Sequence, residues 1–278
     1  KLPDNRIRVL VQGLARARAT EFHDGGECFE ASIEKSQVGP AAPHLEPVAD
    51  SWQAGESTID GKGRQLGFSY IVSAFAEWKM TFFPLSRILA ISMGERESKA
   101  LLAKVVDIRK NLPAWMQLTV TKDNSTELAF QNGSSMVALP STENAGRSET
   151  ASVVISDELA FHPFAGENYA AYRPSIADGG QHIIISTGNG PAGLFANFWN
   201  GSGIDTETSY TRRFTPWSAR PDRGREWYDR EYRAFLSAGD KHPLLFIREN
   251  PSTPEEMLTA FFGLVYDGFK PAVQLLPF

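Results

Sequence analysis

Lys62-Gly63-Arg64-Gln65-Leu66-Gly67-Phe68-Ser69 is the stretch whose reading decides the fold of this 278-residue chain. In the pattern G-x-x-x-x-G-K-[ST], backbone N–H groups cradle phosphates, the lysine neutralises them and the hydroxyl ligates Mg²⁺. Gly67 and Ser69 stand at the second glycine and hydroxyl positions, whereas Phe68 takes the lysine's place and Lys62 that of the first glycine. A loop wrapped round a phosphate brings its ends together, so a lysine entering from the first position still supplies the charge. Downstream, Ile71, Ala74, Phe75 and Trp78 fall at i, i+3, i+4 and i+7, one apolar face of a helix that starts at the loop. The N-terminus of that helix directs free N–H groups and the positive end of its dipole at the phosphates. Taken alone, the pattern is more often a Gly-Phe-Ser turn opening an ordinary helix. The remaining elements decide the matter.

Upstream, the strand expected before such a loop is poor, since Ser57-Thr58-Ile59-Asp60 holds one strong β-former. Trp52-Gln53 reads either as an adenine-contacting pair or, more commonly, as packing. Leu2 to Thr20 alternates apolar residues with Arg6, Arg8, Arg16 and Arg18, as a solvated basic helix would, and a Gly/Pro-rich loop follows it. Further along, Ile88-Leu89-Ala90-Ile91 is a short buried strand turning through Ser92-Met93-Gly94-Glu95 into a helix. Leu101, Val105, Ile108 and Leu112 mark that helix's core face as far as Pro113. Glu127 to Leu139 is a hairpin around Asn132-Gly133. Two further buried strands at 153–157 and 183–187 flank a helical stretch. A polar loop is expected at 200–210, and Tyr228, Tyr232, Phe235 and Leu236 mark an amphipathic helix. Strand–helix alternation of this kind predicts an α/β fold, a mainly parallel sheet with helices on both faces.

Composition fits one large domain or two small ones. Hydrophobic residues make 42% and charged residues 22% of the chain, and the net charge of −5 argues against a protein that coats nucleic acid constitutively. A motor gripping DNA through a local patch is not excluded. The single Cys28 rules out an internal disulfide. No apolar run approaches the roughly 18 residues needed to span a membrane, and there is no signal-peptide core. The chain begins at Lys1 without Met, so missing upstream residues would account for the poor strand before the loop.

Chemistry enters with Val153-Val154-Ile155-Ser156-Asp157-Glu158, an apolar strand ending in two acids at the sheet edge where α/β ligands bind. Asp157 is placed to hold Mg²⁺ together with the Ser69 hydroxyl, and Glu158 to orient and deprotonate an attacking water. Solvated acids ending a strand are the plain alternative. Ile183-Ile184-Ile185-Ser186-Thr187-Gly188 puts hydroxyls and glycine at the next strand end, where Ser186, Thr187 and Gly188 can sense a γ-phosphate and pass on its loss. Gly146-Arg147-Ser148 offers an arginine in a small-residue loop, either a finger reaching a neighbour's nucleotide or a surface ion pair. The tract 211–233 holds Arg212, Arg213, Arg220, Arg223, Arg225, Arg230 and Arg233 against Asp222, Glu226, Asp229 and Glu231, either a DNA-contacting patch or a solvated helix face.

Together the residues from Lys62 to Ser69, Gly146 to Ser148, Val153 to Phe161 and Ile185 to Gly188 resemble the large terminase subunit of tailed phages, the ATP-driven DNA-packaging motor. Glu249-Asn250-Pro251-Ser252-Thr253-Pro254-Glu255-Glu256 is similar to that family's segment leading out of the ATPase domain. Some terminases carry the loop lysine at the first position, as Lys62 does. The resemblance implies a RecA/ASCE-type P-loop NTPase, an ATP site at residues 62–69, Mg²⁺, and catalysis by Glu158 with Arg147. It implies double-stranded DNA, a portal protein and a small terminase subunit as partners, a homo-oligomeric ring on a procapsid, no membrane, and the cytoplasm of an infected bacterium. Expected boundaries are an N-terminal segment and linker at 1–50, the ATPase core at 51–210, a lid-like part at 211–262, and a linker toward an absent nuclease at 263–278. No carboxylate side chain follows Asp267, and two-metal cleavage needs several. A helicase-type (superfamily 2-like) ATPase is the second reading. A catalytically inactive packaging module, motivated by Phe68, is the third.

Overall fold

The computed structural model describes residues 42–147, 149–201, 210–239 and 243–259. The expected basic helix and Gly/Pro loop before residue 42, Ser148, most of the 200–210 loop and the linker after 259 lie outside the described residues. Eight strands form one sheet. They are β1 (Thr58–Lys62), β2 (Arg87–Ser92), β3 (Val120–Asp123), β4 (Glu127–Phe130), β5 (Ser135–Pro140), β6 (Val153–Asp157), β7 (Gln181–Ser186) and β8 (Thr211–Thr215), in the spatial order β3-β4-β5-β2-β6-β7-β1-β8. All pairings from β5 to β8 are parallel, and β3-β4-β5 is an antiparallel meander at one edge. This is the expected α/β class. β7 lies between the loop strand β1 and the acid strand β6, the insertion that marks the ASCE arrangement.

The central strands read as continuous apolar runs because helices cover both faces of the sheet. On one face, α1 (Glu46–Gln53), α2 (Phe68–Phe82) and α3 (Glu95–Lys110) pack on Ile88, Ala90, Ile183 and Ile185 through Trp52, Phe75, Leu101 and Val105. On the other, α4 (Ala165–Ala177) sets Tyr172 against Leu89 and Val154, and α5 (Leu194–Gly201) sets Phe195 and Trp199 against Ile59 and Ile184. Isoleucines 183, 184 and 185 thus serve opposite faces in turn, as the strand period of two requires. Among the described residues three more helices follow: α6 (Arg225–Ser237), α7 (Pro243–Glu249) and α8 (Pro254–Met257). Tyr228 and Tyr232 of α6 lie edge-on to Phe246 of α7 at 5.1 and 5.3 Å. Among the described residues no helix is long and apolar enough to cross a membrane.

Packing and pairing run across the expected divisions at residues 50/51 and 210/211. The core begins before residue 51, because Leu45, Val48 and Ala49 are buried with α1 in the main cluster. It also extends past 210, since β8 pairs with β1 along its whole length. β8 carries Arg212 and Arg213, so the arginine tract 211–233 is not one helix but a strand, a turn and a helix. Trp52 is a packing residue: it is 1% exposed, and its Nε1 donates to Thr58 Oγ1 at 2.9 Å.

Candidate active site

Four chain segments meet at the carboxyl edge of the sheet. β1 ends at Lys62, and the loop that follows is bound from outside. Gly63 N donates to Thr215 O at 3.0 Å and Arg64 N to Glu249 O at 2.9 Å. A side chain at position 63 would meet the Trp217 backbone at 3.3 Å, a tight contact that the collar would have to yield to by a few tenths of an ångström. Gln65 (φ 57) and Gly67 (φ 88) both take the left-handed conformation, which turns the loop tightly into α2. No side chain caps α2. Among the described residues, no partner is found for the N–H groups of Gln65 through Ser69. They form a row of donors ending at a positive helix terminus, and such a row binds anions. Phe68, expected within the ATP-binding stretch, is 1% exposed and packs in the core beneath α2, so its ring stays out of the loop's mouth.

Lys62 is the centre of the site. Its Nζ lies 2.6 Å from Glu158 Oε1, the lysine side chain 6% exposed and the glutamate's 29%. Glu158 follows β6 in the left-handed region (φ 58, ψ 47), a conformation costing a non-glycine residue about 1–2 kcal/mol. That turn lifts its carboxylate off the strand toward β7. There Glu158 Oε2 accepts from Thr187 N at 2.9 Å and Thr187 Oγ1 at 3.2 Å, with Ser186 Oγ at 3.5 Å. Burial alone would raise the Glu158 pKa. The Lys62 charge and the hydrogen bonds from Lys62 and Thr187 outweigh it and hold the carboxyl below its ordinary value. Asp157 is shifted the other way, upward, by burial and by the adjacent Glu158 charge, against Lys62 and Lys104. The structure thus brings together Lys62, Asp157, Glu158, Ser186 and Thr187, and separates the two acids electrostatically.

Asp157 Oδ1 is buried without a hydrogen-bond partner among the described residues, and so is Ser92 Oγ. The two residues are in register on neighbouring strands, β2 and β6. Orphaned oxygens of this kind, in register at the carboxyl ends of neighbouring strands, fit a hydrated Mg²⁺, which takes one or two carboxylates and keeps its waters. No group of three or more His, Cys, Asp or Glu suited to a metal occurs among the described residues. Mg²⁺ bound with a nucleotide's phosphates does not require one. Ser92 had no sequence signal beyond ending a strand, and its position in register with Asp157 appears only in the folded sheet.

His162 is a second residue the sequence did not single out; its ring Nε2 lies 2.8 Å from Asp157 O and braces the turn after the acids. Ser186 Oγ accepts from Ala160 N at 3.1 Å, and Asn189 Nδ2 donates to Ala160 O at 3.0 Å. The segment 158–160 is therefore tied to 186–189 on both sides. Gly188 packs under α8, where any side chain would run into the Met257 carbonyl. α8 itself is capped by Thr253, whose Oγ1 accepts from Glu256 N at 3.3 Å, while Glu256 Oε2 accepts from Ser252 N, just before the cap, at 2.6 Å. Arg147 is exposed on the turn before β6 and is not drawn to the Lys62–Glu158 pair. Arg64 is turned away from the site, its Nε 2.9 Å from Glu249 Oε2.

Most of the arginine tract is occupied within the fold. Arg213 Nε lies 2.9 Å from the buried Asp60, Arg225 pairs with Asp229, Arg230 with Glu231, and Arg220 with Asp222. This favours the solvated or structural reading of the tract over a DNA patch.

No protein-family model matches the sequence. Among solved structures, the chain is similar to the ATPase domain of the Thermus phage P74-26 large terminase. Identity there is 20%, covering 73% of this chain and 88% of that one, with a TM-score of 0.56. The HK97 bacteriophage large terminase matches at 13% identity over 92% of this chain and 49% of its own, TM-score 0.54. The large terminase of a thermophilic bacteriophage, solved in complex with ADP, matches at 12% identity over 71% and 48%, TM-score 0.54. The chain spans about half the length of these last two proteins. At such identities the likeness is one of architecture: this chain has the fold of a phage large-terminase ATPase domain.

Proposed function

We propose that this chain is the ATP-hydrolysing motor domain of a terminase large subunit, which drives double-stranded DNA into a procapsid. The observation that carries the reading is the Lys62–Glu158–Thr187 chain of contacts, which joins the loop strand, the acid strand and the strand between them at one edge. The free N–H row from Gln65 to Ser69, with Lys62, receives the phosphates. Asp157 and Ser69, with Ser92 in register beside Asp157, would hold Mg²⁺, which would supply charge neutralisation at the transferred phosphoryl group. Glu158 takes a proton from water as the water oxygen bonds to the γ-phosphorus. The β–γ bridging bond breaks, and ADP carries the electron pair. Ser186 and Thr187 register the state of Glu158 and hand it through Gly188 to Met257 and the segment beyond. Arg147 completes a neighbour's site in a ring. Double-stranded DNA, a portal protein, a small terminase subunit and the cytoplasm of an infected bacterium follow from the same reading. The burial of Phe68 keeps its ring out of the loop's mouth, and tight Mg·ATP binding with turnover is the result that would dismiss an inactive module.

Turnover and nucleotide binding test this directly. Lys62→Ala should abolish ATP hydrolysis and weaken Mg·ATP binding, whereas Glu158→Gln should retain binding and lose hydrolysis. The control at position 68 is Phe68→Leu, because truncating a buried phenylalanine to alanine costs about 3–5 kcal/mol of fold stability. A Glu158→Gln variant hydrolysing at the wild-type rate, or a wild-type chain that binds no ATP, defeats the proposal.

A further inference from the structure

We infer that Arg223 is a positioning residue for the phosphate loop, holding it in its binding shape from the helical layer outside the sheet. This rests on reading residues 62–69 as a phosphate site, but the contacts themselves do not. Arg223 is 6% exposed, and its guanidinium carbon lies 4.4 Å from the centre of the Trp227 ring. Among the described residues no carboxylate comes within ion-pair distance of it. Its donors go instead to the loop: Nη1 to Arg64 O at 2.8 Å, and Nη2 to Gln65 O at 3.4 Å and Gln65 Oε1 at 3.3 Å. Arg220 Nη1 adds a donor to Gln65 O at 3.1 Å, and His44 Nε2 lies 3.0 Å from Leu66 O. Three successive loop carbonyls are thus engaged from outside.

The residue under this clamp is the strained one. Gln65 is left-handed without being glycine, and such a residue keeps that conformation only where its surroundings impose it. The planar guanidinium fork, which reaches two backbone carbonyls and the Gln65 amide oxygen at once, is suited to imposing it, and an ammonium is not. If the fork is lost, Gln65 relaxes and the row of N–H groups from Gln65 to Ser69 breaks at its first member. Nucleotide affinity then depends on a residue that touches no nucleotide.

Arg223→Lys in the full chain tests this, since lysine keeps the charge and a stem to pack on Trp227 but loses the fork. The first readout is amide hydrogen exchange of the nucleotide-free protein. Exchange at Gly63 and Arg64, whose N–H groups bond Thr215 O and Glu249 O, should speed up by roughly tenfold or more once the loop is released. The same holds at Tyr70 and Ile71, whose N–H groups bond Gly67 O, with the α6 and α7 amides unchanged. The second is steady-state kinetics, in which KM for Mg·ATP should rise by a similar factor with kcat near wild type. Arg223→Ala should exceed both effects if it folds. Unchanged exchange at residues 63–64 and 70–71, or an increase spread evenly over α6 and α7, overturns the inference. A wild-type chain that binds no ATP would sink the motor reading alone, leaving the exchange result to decide the clamp.

Discussion

At the scale of single residues, the same burial that tunes the site acts elsewhere on Glu77. This glutamate of α2 is fully buried, its Oε2 lacks a partner among the described residues, and burial pushes its carboxyl up to about 7 against a hydrogen bond from Thr81 and the Arg109 charge. The folded chain therefore binds this proton more tightly than the unfolded chain does. Between the model-peptide value near 4.5 and about 7 the folded state holds more protons, so unfolding free energy falls as pH rises through that window and levels off above it. At about 1.4 kcal/mol per unit the whole effect is about 3 kcal/mol. Glu77→Gln fixes the neutral form, so its stability relative to wild type should grow by about 2.5 kcal/mol between pH 5 and pH 8 in urea unfolding, most of that effect. His182, which burial lowers to about 3, loses stability for the fold in the opposite direction, as pH falls below 6.5. It is common to both chains and cancels in the difference. A gap that does not widen with pH would show that Glu77 is charged in the fold.

Elements differ in how far their sequence announced them. β2, β6 and β7 were legible because central parallel strands must be apolar on both faces, and the hairpin was legible from Asn132-Gly133, whose glycine has φ 81. The acids, the hydroxyl strand end and the displaced lysine were legible as types in order along the chain. β1 was poorly legible because its middle residue is Asp60, which is polar and yet 1% exposed. It is tolerated by Thr58 two residues away, by Trp52 of α1 and above all by Arg213 of β8, 153 residues on, a partner that no local pattern reveals. β8 was hidden for the complementary reason, since its arginines read as surface charge. The pair makes a prediction about these two strands. Arg213→Met should cost about 3–5 kcal/mol by leaving a buried carboxylate unpaired, read as a shift in the urea midpoint. Asp60→Asn in the same chain should recover much of that loss. Additive losses from the two changes would mean that Asp60 is held by Thr58 and Trp52 alone.

For the whole molecule the open element is Arg147, which the fold leaves exposed on the turn before β6 while the other site residues converge. In a ring built from head-to-tail interfaces each subunit presents one face of its site to its neighbour, and an arginine free of its own site is available to the next. On the proposed motor reading a finger of this kind is worth ~10³–10⁵ in rate, so Arg147→Ala should remove nearly all turnover of an assembled ring and leave ATP binding by isolated monomers unchanged. Arg64 is a poor substitute in cis, because Glu249 holds both its backbone N–H and its guanidinium. Mixing decides between a contact within a subunit and one across the interface. Arg147→Ala and Glu158→Gln are each expected to be inactive alone. In an equal mixture about a quarter of the head-to-tail interfaces pair an intact Glu158 with an intact Arg147, so turnover should return to a corresponding fraction of the wild-type rate. If the two variants are shown to co-assemble and the mixture stays inactive, Arg147 acts within its own subunit or only in folding, and the coupling between subunits lies elsewhere.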